Sequence, residues 1–244
     1  TAQLHLSRPG GSTFRAHLKV TPVLAKAWRE VRAFGPHLHQ HFDASPRDID
    51  ALFTRTIEFF LRRVAEQHNG ARVIEKTPNN ALVFGHLSYL FPDSPLIHII
   101  RDGRDVVRSM LKKTWNRPDG SPHPISQDPA TAAAYWRDVV RAGREAACSE
   151  RVRTNYLEIR YEDLVTAPLP VMRSLIDHVG EPWDDGVAEF HKHEDPLYPH
   201  VQRPISSASV GKWQHDLDDA SKNAINQEAG DLLVELGYAA DSNW

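Results

Sequence analysis

The chain has 244 residues and a formal net charge of −3, with 41% hydrophobic and 25% charged residues. That length suits one α/β domain over residues 1–244 better than two, and the composition is that of an ordinary globular protein. The slight negative charge excludes bulk attraction to nucleic acid or to an anionic membrane, so any phosphate must be met by locally placed cations.

Gln3-Leu4-His5-Leu6 reads as a first strand, and Gly10-Gly11-Ser12-Thr13 as a tight turn leading into a helix start. Ser45-Pro46 opens a helix in which Ile49, Phe53, Ile57, Phe60, Leu61 and Val64 recur at helical spacing. Arg72-Val73-Ile74-Glu75 is a short strand, followed by a helix carrying Leu82, Val83, Leu87 and Leu90 and by a turn at Pro92-Asp93-Ser94-Pro95. Leu96-Ile97-His98-Ile99-Ile100 is the strongest strand, and its apolar character predicts burial on both faces. A helix from about Gly103 to Lys113 should bury Val106, Val107, Met110 and Leu111.

Thr114 to Asp128 reads as an irregular stretch with a turn signal at Asp119-Gly120, and a loop of that length is more often functional than idle. Asp128-Pro129 reads as the cap and first turn of a helix with Trp136, Val139, Val140, Gly143 and Ala147 on one face, the glycine leaving room for a close neighbour. Cys148, the single cysteine, can form neither an intramolecular disulfide nor a cysteine-rich zinc site, and its Ala-rich setting suggests a small packed side chain. Tyr156 to Arg160 is another strand; Met172, Leu175, Ile176 and Val179 mark a helix closed by Gly180. The last helix buries Ile225, Ala229, Leu232, Leu233 and Leu236 and stops at Gly237. Strand and helix alternate, which predicts an α/β fold with a central parallel sheet and helices on both faces. Ligands bind such sheets beyond the carboxyl ends of the strands.

Three strand ends carry polar groups suited to an anion. The glycines, Ser12 and Thr13 could offer backbone N–H groups, although the same residues also make a generic turn and cap. Glu75-Lys76-Thr77-Pro78 sets a carboxylate beside an ammonium, a general base next to a charge stabiliser or else a surface ion pair. Arg101, Arg104 and Arg108 follow the strongest strand. Arg104 and Arg108 can be read as a solvated helix face paired to acids at helical spacing, but Arg101 ends a buried strand.

These residues resemble the PAPS-dependent sulfotransferases, whose donor is 3′-phosphoadenosine-5′-phosphosulfate. Gly10, Gly11, Ser12 and Thr13 look like that family's 5′-phosphosulfate loop; Pro9 stands where Arg or Lys is usual, with Arg8 one place off register. Arg101 and Ser109 match its Arg-x7-Ser element for the 3′-phosphate, with the familiar Arg-Asp-Gly-Arg-Asp start. Glu75-Lys76-Thr77-Pro78 is similar to the element of carbohydrate sulfotransferases in which the glutamate is the base. Tyr161-Glu162-Asp163 resembles a segment whose tyrosine lies near the adenine, and Ser207, Ser209, Gly211 and Lys212 resemble a late loop closing over the 3′-phosphate. The resemblance spans almost the whole chain in order. It implies a P-loop-containing nucleotide-hydrolase-like fold and metal-independent transfer of a sulfuryl group to a small-molecule, carbohydrate or natural-product hydroxyl or amine.

A small-molecule kinase of related fold would need a lysine in the phosphate loop and a magnesium-holding acid after a strand, and neither is in register. A non-catalytic nucleotide-binding module is the other alternative; it draws on Pro9 and is opposed by Glu75. His37, His39 and His41 could form a metal clip, but a loop setting with Asp43 as the one acid nearby favours a bland reading, and His191 and His193 read as a helix end. No apolar run approaches the ~18–20 residues of a membrane span and no signal peptide is visible, so a cytoplasmic protein is expected. The chain starts at Thr1 rather than Met, which leaves a preceding anchor open.

Overall fold

The structure is a computed structural model describing residues 2–7, 13–18, 45–67, 72–192, 203–241 and 244, the first two segments by backbone alone. The described residues within Thr1–Asn80, Gly85–Ser94 and Asp184–Pro204 form one compact unit, and those within Ala81–Phe84, Pro95–Trp183 and Ile205–Trp244 form a second.

In the first unit, β1 (Ala2–Ser7) lies between β2 (Thr13–Leu18) and β3 (Arg72–Lys76), antiparallel to both. Ser7 faces Thr13 and Leu4 faces Glu75. The sequence suggested a helix start at Ser12-Thr13 and a parallel sheet; here Thr13 instead opens a strand. Thr-Phe-Arg-Ala-His-Leu alternates polar and apolar residues, a strand period that the adjacent Gly-Gly-Ser-Thr turn signal masked. The short stretch from Ser7 to Thr13 can join antiparallel strands, whereas a parallel pair needs a crossover of a dozen residues or more. Helix α1 (Pro46–Gln67) begins with a reciprocal cap: the Ser45 N–H donates to Asp48 Oδ2 at 2.7 Å and the Asp48 N–H to Ser45 Oγ at 3.3 Å. Ile49 and Phe53 are its buried apolar residues, while Phe60, on the expected apolar face, is 39% exposed. A 3-10 turn, Pro78–Val83, leads from β3 into α2 (Phe84–Leu90).

The second unit holds the parallel pair. β4 (Leu96–Ile100) and β5 (Tyr156–Arg160) run in register from Leu96–Tyr156 to Ile100–Arg160. They are joined through α3 (Gly103–Leu111), α4 (Pro129–Ala147) and α5 (Glu150–Arg153). After β5 come α6 (Tyr161–Thr166), α7 (Pro168–His178), α8 (Trp213–Asp216) and α9 (Asp219–Glu235). The core gathers Ile100, Val107, Trp136 and Val140 with Ile225, Leu232 and Leu233, so α3, α4 and α9 pack around one end of β4. Burial along β4 alternates, with Leu96, His98 and Ile100 inside and Ile99 at 50% exposure, rather than covering both faces. Among the described strands β5 is its one ladder neighbour, so this layer is too narrow to enclose both sides.

Local signals in this unit translate directly. Asp128 caps α4 by accepting from the Thr131 N–H at 2.8 Å, with Pro129 in the first turn. Gly143 admits the His98 ring; a Cβ there would lie 2.7 Å from His98 Cε1. His98 Nδ1 is 2.7 Å from the Tyr156 hydroxyl, which donates to Glu158 Oε2 at 2.9 Å. The tyrosine's proton is committed to the carboxylate, so Nδ1–H donates to the tyrosine oxygen. Burial holds the imidazole below its ordinary pKa, against the opposing pull of Glu158.

Two expectations are corrected. Cys148 is exposed rather than packed, because it sits at the C-cap of α4, past the last buried turn, with Sγ 3.5 Å from the Arg144 carbonyl. The stretch after α3, expected to be irregular, has one bridge and a 3-10 turn within it. Asn116 bridges Pro122, His123 N–H donates to the Trp115 carbonyl at 2.7 Å, and Gly120 adopts φ 84° at the turn. Prolines and few apolar residues hid this small hairpin, whose tip is held by Asp119 accepting from the Ser121 N–H and hydroxyl. Among the described residues no helix is long and apolar enough to cross a membrane.

Candidate anion site and candidate base

The end of β4 is built from backbone satisfaction outward. Asp102 caps α3, its Oδ1 accepting the Arg104 N–H at 2.9 Å, while its own N–H donates to Glu162 Oε1 at 3.0 Å. The other oxygen of Glu162 accepts from the Tyr238 hydroxyl at 2.9 Å. One carboxylate from α6 thereby ties the start of α3 to the segment after α9.

Arg101 leaves this turn with its side chain 21% exposed. Nη2 donates to the Ser209 carbonyl at 2.6 Å and lies 3.8 Å from Asp105 Oδ2; the guanidinium carbon sits 4.5 Å from the Tyr161 ring centre. Nε is buried and has no hydrogen-bond partner. An unsatisfied buried donor costs about 1–3 kcal/mol, so this nitrogen is a standing demand for an acceptor. Asp105, fully buried, accepts from the Gly211 N–H at 2.7 Å and the Trp213 N–H at 3.0 Å. Gly211 has φ 72°, a conformation glycine adopts without strain. Ser207–Ser209 forms a short 3-10 turn, and Lys212 is exposed between the two residues that Asp105 holds.

Of the residues singled out in the sequence, the second unit thus brings together Arg101, Tyr161, Ser209 and Gly211, with Lys212 next in the chain. Ser109 is half-buried on α3 one turn beyond Asp105, and Ser207 is exposed on the 3-10 turn. The other arginines are structural. Arg104 is 5% exposed, forked onto Asp102 (Nη2 to Oδ2 2.8 Å), bonded to the Tyr238 carbonyl, and stacked 4.0 Å from the ring of Trp213 and 4.7 Å from that of Trp244. Arg108 pairs with Asp216 at 2.6 Å and Lys112 joins the same oxygen at 2.7 Å. Lys112 and Arg108 hold the Asp216 carboxyl down at about 2. Both arginines have acidic partners, though at other spacings than the helical one.

In the first unit, Glu75 is half-buried near the end of β3 and Lys76 is exposed. Thr77 Oγ1 donates to Glu75 Oε1 at 2.6 Å, and Asn80 Nδ2 donates to Oε2. The carboxylate is oriented from both oxygens. Thr13 is placed by backbone alone, in β2. Arg8, Gly10, Gly11 and Ser12, and the histidines at 37, 39, 41 and 193, lie outside the described residues. Among the described residues no three His, Cys, Asp or Glu side chains gather as a metal site.

Sequence reasoning missed three hydrogen-bonding side chains: the carboxylates of Asp105 and Glu162 and the amide of Asn80. A signal existed for Asp105, since Arg101, Asp105 and Ser109 recur every four residues and so share one side of the chain. Nothing local marks Asn80 or Glu162 as a hydrogen-bond partner, because each bond depends on where the chain returns.

Comparison with known proteins finds sulfotransferases in sequence and in fold. The model described as "Sulfotransferase family" matches residues 7–185. The chain is 30% identical over 213 residues to the omega-hydroxy-beta-dihydromenaquinone-9 sulfotransferase Stf3 of Mycobacterium bovis, covering 83% of this chain and 51% of that protein. It is 28% identical over 188 residues to the nodulation protein NoeE of Sinorhizobium fredii, covering 68% and 44%. With protein-tyrosine sulfotransferase 2 of Gallus gallus it shares 27% over 202 residues, covering 75% and 48%. The chain therefore spans about half the length of these relatives. The sulfotransferase domain of the Synechococcus PCC 7002 olefin synthase superposes with a TM-score of 0.56 at 22% identity, covering 89% of this chain and 83% of that one. The sulfotransferase domain of the curacin biosynthetic pathway gives 0.53 at 17%, covering 82% and 77%. The shared α/β fold and the length of the family match, residues 7–185, place this chain in the sulfotransferase family.

Proposed function

We propose that the protein is an enzyme that transfers a sulfuryl group from PAPS to an acceptor hydroxyl or amine. The observation that carries this reading is Arg101: it is stacked on Tyr161 and tied to the late loop, and its buried Nε lacks an acceptor. A 3′-phosphate oxygen is an acceptor of the right charge for that nitrogen, and an aromatic face beside it suits a nucleotide base. Ser109 and Lys212, with Ser207, Ser209 and Gly211 of the late loop, complete the grip on the 3′-phosphate. Arg8, Gly10, Gly11, Ser12 and Thr13 serve the 5′-phosphosulfate.

In the reaction the S–O bond to the 5′-phosphate oxygen breaks and a new S–O bond forms to the acceptor. The electron pair of the broken bond stays on the bisphosphate, and the acceptor's proton passes to Glu75. Thr77 and Asn80 hold that carboxylate in one orientation. Lys76 and the phosphate loop offset charge on the leaving group, so positioning and electrostatics supply the catalysis without a metal. Related proteins are named for a hydroxylated menaquinone and for protein tyrosine as acceptors, and both names point to hydroxyl chemistry. That supports an alcohol or phenol acceptor here, whether on a small molecule, a carbohydrate or a natural product.

Calorimetry with 3′,5′-adenosine bisphosphate, AMP and ATP tests the donor. The bisphosphate should bind at least about tenfold more tightly than AMP, since a charge-assisted hydrogen bond contributes about 1.5–3 kcal/mol. Equal affinities would remove the assignment. The binding-only reading finds its observation in Glu75, whose two oxygens are both engaged within the protein. Sulfation of any acceptor by the purified protein, read by mass spectrometry, excludes it.

A further inference from the structure

Asp105 is the one fully buried carboxylate in the vicinity of Arg101 among the described residues, and burying an anion near a site for another anion is electrostatically unfavourable. Two backbone donors and a nearby guanidinium offset that cost. Oδ2 accepts the Gly211 N–H at 2.7 Å, Oδ1 accepts the Trp213 N–H at 3.0 Å, and Arg101 Nη2 stands 3.8 Å away. A carboxylate is an acceptor at both oxygens, so it can take two backbone N–H groups; an amide offers one acceptor and turns a donor toward the other. The two N–H groups belong to the residues on either side of Lys212.

The rest of the helix face repeats the pattern. Arg101, just ahead of α3, holds the Ser209 carbonyl, Asp105 holds Gly211 and Trp213, and Arg108 with Lys112 holds Asp216. These positions, spaced by four, three and four residues, form one stripe of a helix. The segment from Ser209 to Asp216 is thus laid along α3 in register, and the two backbone N–H groups that Asp105 holds flank the lysine.

We propose that Asp105 is a positioning residue of the donor site: it fixes the Ser209–Trp213 segment on α3 so that Lys212 and Arg101 act on the same phosphate. This rests on the sulfuryl-transfer reading above. Asp105 does not touch the donor. It sets where the lysine backbone sits, and the choice between bisphosphate and AMP depends on it.

The test compares Asp105→Asn with the unaltered chain in calorimetry against 3′,5′-adenosine bisphosphate and AMP, with the KM for PAPS and kcat as a second readout. The preference for the bisphosphate over AMP should fall about tenfold or more while AMP affinity changes little, as lost anchorage removes a charged contact. KM for PAPS should rise by a larger factor than kcat falls, and Asp105→Glu, which keeps both acceptor oxygens, should recover part of the preference. A variant that melts earlier yet keeps the full preference per folded molecule reduces Asp105 to a brace and overturns the proposal. If Asp105→Asn does not fold, hydrogen exchange on the unaltered protein decides: the Gly211 and Trp213 amides should be protected as strongly as those of α3 without any ligand. Exchange at the rate of an unstructured chain overturns it. An unaltered protein with no preference for the bisphosphate overturns the donor reading itself, a result distinct from a preference that survives in the variant.

Discussion

The guanidinium carbon of Arg101 lies 4.5 Å from the centre of the Tyr161 ring, which sets the first residue after β4 against the first residue of α6. Both strands of the parallel pair therefore end at one place, as ligand sites of α/β sheets require. Arg101→Ala should lower bisphosphate affinity by about 1.5–3 kcal/mol, the range for a charged hydrogen bond. Tyr161→Leu should cost less, about 0.5–2 kcal/mol, since it removes stacking but no charge. Calorimetry on both variants checks the order. A larger loss for the tyrosine would make the aromatic face, not the cation, the principal contact.

Arg104 predicts a stability effect instead. Its fork on Asp102 is buried, and its plane is stacked against the indoles of Trp213 and Trp244. A lysine can supply the charge but neither the fork nor the stacked plane. Arg104→Met should destabilise the fold by about 3–5 kcal/mol because Asp102 is left without its cation, and Arg104→Lys by somewhat less. Denaturant titration with an unchanged slope would measure it. A change under about 0.5 kcal/mol, the range of surface substitutions, would show that the aromatic sandwich carries little.

Particular residues show what was legible. Asp128-Pro129, Gly143, Gly180 and Gly237 are legible because a cap, a close approach or a positive φ is decided within a few residues. Arg101 was identifiable as distinct from Arg104 and Arg108, since a cation ending an apolar strand has no local explanation. Its contact with Ser209 spans 108 residues of chain and is invisible to any local pattern. β2 is not legible, because two signals compete at Thr13 and the turn signal is the louder. The hairpin at Asn116–Pro122 leaves no pattern, because its ladder is a single bridge, too short to set up a period.

His98 gives the second unit a pH response of definite sign. Burial lowers its pKa in the folded state, so between that value and about 6.5 the unfolded chain binds the proton and the folded one does not. Stability should therefore be full above pH 6.5 and decline as pH falls through that window. The ring is ringed by Phe84, Gly143 and Tyr156, with Glu158 and Arg144 as the charges acting on it. His98→Gln should weaken the dependence of Tm on pH between 7.5 and 5. An identical dependence in both proteins would assign the acid sensitivity elsewhere.

Turnover should persist in EDTA. Lys76, proposed to offset charge on the leaving group, takes the role a divalent ion has in phosphoryl transfer. Loss of activity on chelation, restored by magnesium, would redirect the reading to a kinase.

Glu75→Gln separates base from brace. In the folded protein Thr77 Oγ1 donates to one carboxylate oxygen and Asn80 Nδ2 to the other. A glutamine can preserve both contacts: its oxygen accepts from Asn80, and its NH₂ donates to the Thr77 hydroxyl, which rotates to accept. The substitution is therefore mild for the fold, and Tm should move little. It is severe for chemistry, because an amide cannot take the acceptor's proton as the new S–O bond forms. General-base removal lowers rates by about 10²–10⁴, and kcat should fall by at least the lower figure. Bisphosphate affinity should stay close to that of the unaltered protein, since the product has no proton to surrender to this group. Asn80→Ala frees one oxygen and leaves the base in place, so its effect on kcat should be smaller than that of Glu75→Gln. If Glu75→Gln retains most of its turnover per folded molecule, Glu75 is a brace for the Pro78–Val83 turn and the proton goes to another group.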